Sequence, residues 1–370
     1  MAFLCACAGP GLGCWAWPIG LLVGLSLVAI ATWAHLTFWR RRLSVPADYD
    51  LVVRIATSDG SAFELRRLQG MIATDATPVL MVHGIAVNHR NLDAKSPWSF
   101  ARCVAAAGRD VWLLTLRSGR NDLSRQEKKG ATFTAMAKCD LPEAVAEVLR
   151  RTGQTQLDYC GFSMGGILLY AALGRYLPVA QVRRVVIFGS PARIVAPWPL
   201  PRFLGRVPPI SVPLQLLAGI YAPWCEALPL FISPLVFAAA NTQPGRMREN
   251  LVDGVANIPG PLLWELMRWS QAGGTIEIDG QPILPALSAV TTPVLFVVGA
   301  ADRLGPLSAM QGAIDAWGRD TKAAKSVFIL GKKHGRGADY GHMDLVLGRQ
   351  APEEVYPTVL HFLLHGQEVA

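Results

Sequence analysis

The sequence predicts an α/β fold: a mostly parallel sheet covered by helices on both faces, with an apolar cap insertion and an N-terminal transmembrane helix. Three observations carry this expectation. Short, continuously apolar runs alternate with helix-periodic segments, and a strand that is apolar on both faces belongs inside a covered parallel sheet. Ten prolines between Pro191 and Pro234 break that alternation, because proline forbids both long helices and central strands. Between Cys14 and Trp39 no residue is charged at neutral pH, His35 apart.

The elements follow in chain order. At ~1.5 Å per residue, residues 15–38 would span roughly 36 Å as a helix, enough to cross a bilayer core with some tilt. Trp15, Trp17, Trp33 and Trp39 lie near its ends, where an aromatic belt would place them. A secretory signal begins with basic residues, and residues 1–14 hold none; Arg40, Arg41 and Arg42 come after the run. By the positive-inside rule this predicts a retained single-pass anchor (residues 1–45) with the remainder (46–370) on the cytoplasmic side. "DLVVRIA" (50–56) and "AFELRRLQ" (62–69) flank "TSDGS", a hairpin turn. "PVLMVHG" (78–84) and "DVWLLTLR" (110–117) are strands on either side of a helix in "WSFARCVAAAG" (98–108) that ends at Gly108. "DLPEAVAEVLRRTG" (140–153) reads as a helix capped by Asp140 and Glu143, striped by Leu141, Val145, Val148 and Leu149, and ended by Gly153. "LDYCG", "RRVVIFGSP" (183–191), "TPVLFVVGA" (292–300) and "KSVFIL" (325–330) are further strands, and "EEVYPTVLHFLL" (353–364) is a closing helix. The proline-rich region, about residues 192–290, is expected to form short helices: a cap over the C-terminal edge of the sheet, suited to covering an apolar substrate.

Composition bounds the function. The chain of 370 residues is 51% hydrophobic and 17% charged, with formal charge +8. Its arginines cluster in short groups without an aromatic-interleaved basic stripe, which points to a membrane surface and away from nucleic acid. The seven cysteines form no C-x-x-C pair, so neither a disulfide framework nor a zinc site is indicated, and reduced thiols are expected.

Chemistry enters at "DYCGFSMGGILLY" (158–170), where a strand runs into a serine between Gly161 and Gly165 and then into a helix. A G-x-S-x-G string alone is weak. A serine hydroxyl needs a base to become a nucleophile, and the base needs an orienting carboxylate. On a strand–elbow–helix scaffold these follow in the order serine, acid, histidine. The strand ending at Gly299 is followed by "AADRLG", which supplies Asp302. The last strand is followed by "GKKHGRGADYGHMD", which supplies His342. Ser163, Asp302 and His342 thus each fall just beyond a predicted strand, and three agreeing placements make Ser163 the expected nucleophile. His334, beside Lys332 and Lys333, reads as a solvated loop residue. Asp339 and Asp344 flank His342 too closely to orient it from another strand, and Asp344 reads as a loop anchor. His83 in "HGI" reads as a hydrogen-bonded support beside a backbone amide that approaches a developing oxyanion, with Gly84 leaving room. Cys139 and Cys160 lie near the elbow but not at its nucleophile position.

These segments resemble the acid lipase family, the gastric and lysosomal acid lipases and their bacterial relatives within the α/β-hydrolase superfamily. The resemblance runs through "MAKCDLPEAVAEVLRRTGQTQLDYCGFSMGG", "LMVHGIAVNHRN", "GRDVWLLTLRSGRND", "LLWELMRWSQAGG", "TPVLFVVGAADRLGPLSAM" and "YGHMDLVLGRQAPEEVY", covering most of residues 50–365. It implies the α/β-hydrolase fold, Ser163 as nucleophile, Asp302 as acid, His342 as base, and the amides of Ile85 and Met164 as the oxyanion hole. The sequence departs from the family in its elbow, "GFSMG" for "GHSQG", in its proline-rich cap, and in an anchor where the animal enzymes have a secretory signal. A weaker resemblance to polyhydroxyalkanoate synthases, which carry cysteine at the elbow, makes acyl transfer the alternative. The expected activity is hydrolysis of carboxylic esters with an apolar or acyl moiety, lipid or small-molecule, with no metal or organic cofactor.

Overall fold

The computed structural model describes residues 13–70, 75–194, 210–228, 233–243 and 245–366. Its centre is an eight-stranded sheet built from β1 (Leu51–Ala56), β2 (Ala62–Leu68), β3 (Asp75–Val82), β4 (Arg109–Thr115), β5 (Leu157–Phe162), β6 (Val182–Phe188), β9 (Val294–Gly299) and β10 (Lys325–Leu330). A separate two-stranded hairpin pairs β7 (Glu277–Ile278) with β8 (Gln281–Pro282). The strand order is β1-β2-β4-β3-β5-β6-β9-β10. β1 and β2 form the expected antiparallel hairpin, β2 runs antiparallel to β4, and the strands from β4 to β10 are parallel. The chain passes from β3 outward to β4 and then crosses back to β5 on the other side of β3. That reversal opens a crevice at the carboxyl ends of β3 and β5, where open α/β sheets place ligands.

Continuously apolar strands are explained by two cores, one on each face. Leu80, Val82, Leu114 and Tyr159 point into one, and Val79, Met81, Leu113 and Cys160 into the other. The helix Phe100–Ala106 is capped by Ser99, whose hydroxyl accepts from the Arg102 amide at 3.0 Å, and the chain turns at Gly108 with φ 85°. The helix Leu141–Thr152 carries the predicted stripe and ends at Gly153, φ 68°. Its predicted cap is wrong. Asp140 is itself helical (φ −55°, ψ −51°), because the helix continues from Phe133 through a π-turn, Met136–Asp140. The Asp140 carboxylate instead lies buried against Arg117, accepting from its amide at 3.0 Å and its Nε at 2.8 Å. Glu143 likewise accepts from the Ser58 amide and hydroxyl. The closing helix is split: Ala351–Glu354 and Tyr356–His365 meet at Val355 (φ −104°), with Pro357 in the second piece's first turn.

The N-terminal helix, Gly13–Leu43, is continuous over 31 residues and ends on Arg40, Arg41 and Arg42. Residues 17–43 are long and apolar enough to cross a membrane, and none of that apolar window is buried. Between Ala192 and Val290 the described residues form short helices, among them Leu214–Tyr221 and Gly260–Gln271, together with tight turns and the β7–β8 hairpin. Residues 195–209 and 229–232, with many of the region's prolines, lie outside the described residues, as do Cys5 and Cys7. Cys103, Cys139, Cys160 and Cys225 are free thiols.

Candidate active site

Ser163 stands between β5 and the helix Met164–Ala172 with φ 52° and ψ −116°. Positive φ in a residue with a side chain is strained, and tight packing is what holds it there. A methyl group on Gly165 would come within 2.3 Å of the Val82 carbonyl oxygen, and one on Gly161 within 2.7 Å of the Gly166 amide nitrogen. The two glycines of the motif therefore let the helix sit against β3 and over the end of β5. The buried Tyr159 hydroxyl donates to the Gly165 carbonyl at 2.6 Å, and the Ser163 amide donates to Phe188 O at 2.8 Å, tying the elbow to β6.

Asp302 and His342 meet as a pair. His342 Nδ1 lies 2.8 Å from Asp302 Oδ2, and both residues are buried. The other carboxylate oxygen accepts from the amides of Leu304 and Gly305, each at 2.8 Å, so the carboxylate is fixed in direction. The imidazole rests against Phe162, ring centroids 4.9 Å apart, and Phe162 directly precedes Ser163. The pair is also packed on the backbone of Gly189, where a methyl group would come 2.8 Å from Asp302 Oδ2.

On the opposite side Gly84 closes in, where a methyl group would lie 3.1 Å from Ser163 Cβ. Among the described residues neither the amide of Ile85, after Gly84, nor that of Met164, after Ser163, has a hydrogen-bond acceptor. Met164 opens its helix, so its amide belongs to the set that a helix leaves unsatisfied. His83 is the predicted support. Its Nε2 faces the Leu116 amide at 3.1 Å, and because that amide can only donate, the ring proton sits on Nδ1 and is given to Gly84 O at 2.7 Å. Burial pushes the His83 pKa down to about 4, so the ring is neutral.

His334 and Asp339 are exposed, and Asp339 accepts from the Lys332 amide at 2.9 Å. Cys160 is wholly buried in β5, and burial holds its thiol far above the ordinary range. Asp344 does anchor the loop, by a route sequence does not show. Its Oδ2 accepts from the Gly341 amide at 2.8 Å and from Ala238, in the cap, at 2.7 Å. The Met343 amide donates to Val236 O at 2.8 Å, so the two residues that follow His342 stitch its loop to the cap. Burial raises the Asp344 pKa to about 6.

A sequence model described as the alpha/beta hydrolase fold matches residues 77–211. Lipase member M of Homo sapiens is 23% identical over 352 residues, covering 84% of this chain and 81% of that protein. Gastric triacylglycerol lipase of Mus musculus is 26% identical over 320 residues, covering 75% and 78%. The chain has the α/β-hydrolase fold, and the curated proteins it is similar to over most of its length are lipases. Solved structures agree on this fold. An esterase from Exiguobacterium antarcticum aligns with TM-score 0.57 at 16% identity, covering 85% of this chain and 100% of the esterase. A bacterial membrane phospholipase A aligns with TM-score 0.52 at 19% identity, covering 95% and 98%.

Proposed function

We propose that this α/β-hydrolase cleaves carboxylic esters bearing an acyl chain or another apolar group, through an acyl-enzyme on Ser163, while residues 13–43 hold it in a membrane. The observation that carries this reading is the buried Asp302–His342 pair packed against Phe162, directly before the strained Ser163. With Nδ1 bonded to Asp302, Nε2 of His342 is the nitrogen left to take the hydroxyl proton as Ser163 Oγ attacks the ester carbonyl carbon. The carbonyl π pair moves onto oxygen, where the amides of Ile85 and Met164 receive it. Collapse of this intermediate expels the alcohol, which leaves with the proton from Nε2. Water then attacks the acyl carbon and gives its proton to Nε2. The second collapse returns that proton to Ser163 and releases the acid. Asp302 holds the ring's tautomer and stabilises its charged form in both halves.

The relatives named as lipases and the apolar cap support an apolar acyl moiety. The 17–43 helix, exposed over most of its length, supports a retained anchor, and the arginines that end it support a cytoplasmic hydrolase domain. A fluorophosphonate should add its mass to the peptide carrying Ser163, and Ser163→Ala should lose both the label and hydrolysis of p-nitrophenyl esters of every chain length. More than about a tenth of wild-type activity in that variant would overturn the nucleophile. Release of the protein from membranes by carbonate would overturn the anchor.

A further inference from the structure

We propose that the cap segment 210–228 is a second membrane-contacting surface, pressed into the headgroup–acyl boundary of the leaflet where the N-terminal helix emerges. The inference rests on the anchor reading above and goes beyond it, because an anchor alone could be a flexible tether. The distribution of exposed apolar side chains is the first ground. Among the described residues, every large apolar side chain left exposed lies either on the N-terminal helix or at Ile210, Leu216, Leu217, Ile220, Trp224 and Leu228, with Val52 the single exception. The 210–228 segment holds one charged residue, Glu226, and that is paired with Arg248 at 3.1 Å.

The second ground is that the two surfaces are one. The helix stands nearly free of the protein as far as Ala34, after which one face, His35, Leu36, Trp39 and Leu43, is half-buried. That face packs on the cap helix Leu214–Tyr221. His35 Nε2 lies 3.2 Å from Ile220 O, and Leu36 sits so close to Gly219 that a methyl group there would be 2.8 Å from its Cδ2. Where the helix ends, the Ser44 hydroxyl and Val45 amide both donate to the Asp253 carboxylate at 2.6 Å. The joint is therefore fixed on both sides of the helix terminus.

Length then sets the depth. Residues 17–34 span roughly 27 Å as a helix, against a hydrocarbon core of about 30 Å. The stretch that stands nearly free of the protein is thus about as long as the lipid core, and the cap helix begins where the core ends. Arg40, Arg41 and Arg42 lie just beyond, at the level of anionic headgroups. The same cap continues to the site. The Ala256 amide donates to Ala86 O and the Asn88 amide to Gly254 O, each at 2.9 Å, immediately after Ile85. The cap thus joins the leaflet to the loop that follows Gly84, and delivery of an apolar ester from the one toward the other is part of the proposal.

The test uses the full chain in vesicles of phosphatidylcholine with anionic phosphatidylglycerol, carrying photoreactive benzoylphenylalanine at Leu25, Leu217 or Val52 in turn. Lipid adducts at Leu25 and Leu217 but not at Val52 are expected. An adduct at Leu25 with none at Leu217 overturns the cap contact and leaves the anchor standing. No adduct at Leu25 overturns the anchor reading itself. A cross-linked dimer at Leu217 in place of lipid assigns the surface to a second copy and overturns the proposal. In addition, Leu217→Glu should lower the rate on a bilayer-embedded long-chain ester, relative to a short soluble ester, by about tenfold or more. An unchanged ratio rejects delivery of the ester through the cap.

Discussion

Acidification to pH 5 should weaken the fold through His83, by an amount the structure sets. The ring is wholly buried, accepts from the Leu116 amide and donates to Gly84 O. Burial, and secondarily the charge of Arg66, lowers its pKa from 6.5 to about 4, against the opposing pull of the Gly84 carbonyl. With the folded pKa below the unfolded one, the unfolded chain takes the proton first. The stability His83 contributes is therefore complete above pH 6.5 and is lost as pH falls toward 4. At pH 5 the unfolded histidine is charged and the folded one is not, a difference of about 2 kcal/mol. Charging would also turn the Nε2 acceptor into a donor facing the Leu116 amide. Urea unfolding in detergent, run on wild type and His83→Gln at pH 7.5 and pH 5, measures the effect. The advantage of wild type over the variant should shrink by about 2 kcal/mol at the lower pH, while other titrating groups cancel in the difference. A difference that stays constant within about 0.5 kcal/mol would refute the neutral, doubly bonded ring.

Three further outcomes can be checked on the same preparations. His342→Ala should lower kcat by about a thousandfold or more while His334→Ala stays within about twofold, and the reverse pattern moves the base to His334. Asp302→Asn should keep the fold, by circular dichroism, yet lower kcat by roughly three to four orders of magnitude, because the tautomer it fixes is lost; near-normal turnover would assign the acid elsewhere. Gly165→Ala, whose methyl would lie 2.3 Å from the Val82 carbonyl oxygen, should lower the thermal midpoint by at least about 5 °C; an unchanged midpoint would mean the elbow helix is not pressed on β3.

Much of the sheet was legible because its strands are buried on both faces, which writes them as unbroken apolar runs; β10 falls on "KSVFIL" at both ends. The meeting of Asp302 and His342 was legible because each lies just past such a run. What escaped has a common cause: pairings between residues far apart in the chain leave no local mark. "DLPE" has the composition of a helix start, but Arg117, 23 residues upstream, claims the carboxylate of Asp140 and buries it inside a longer helix. The neighbour of Asp344 in the cap, Ala238, is 106 residues away and offers only a backbone amide, which any residue type could supply. The packing of Leu36 on Gly219 was hidden for a different reason: apolar residues in a span look alike whether they face lipid or protein.

β10 lies at the edge of the sheet, hydrogen-bonded on one side to β9, and its residues are less buried than those of β9. The loop after it carries His342. Elements at an edge open at lower free energy than the whole molecule unfolds. Detachment of that single strand would remove one support of that loop, whose others are the ties of Tyr340, Met343 and Asp344, and would loosen His342 against Asp302 while β3, β5 and β6, with Ser163 on its elbow, kept their order. On slow heating, turnover of a soluble ester should therefore fade before the near-ultraviolet signature of the buried aromatic residues does, and cooling should restore it as the strand re-docks.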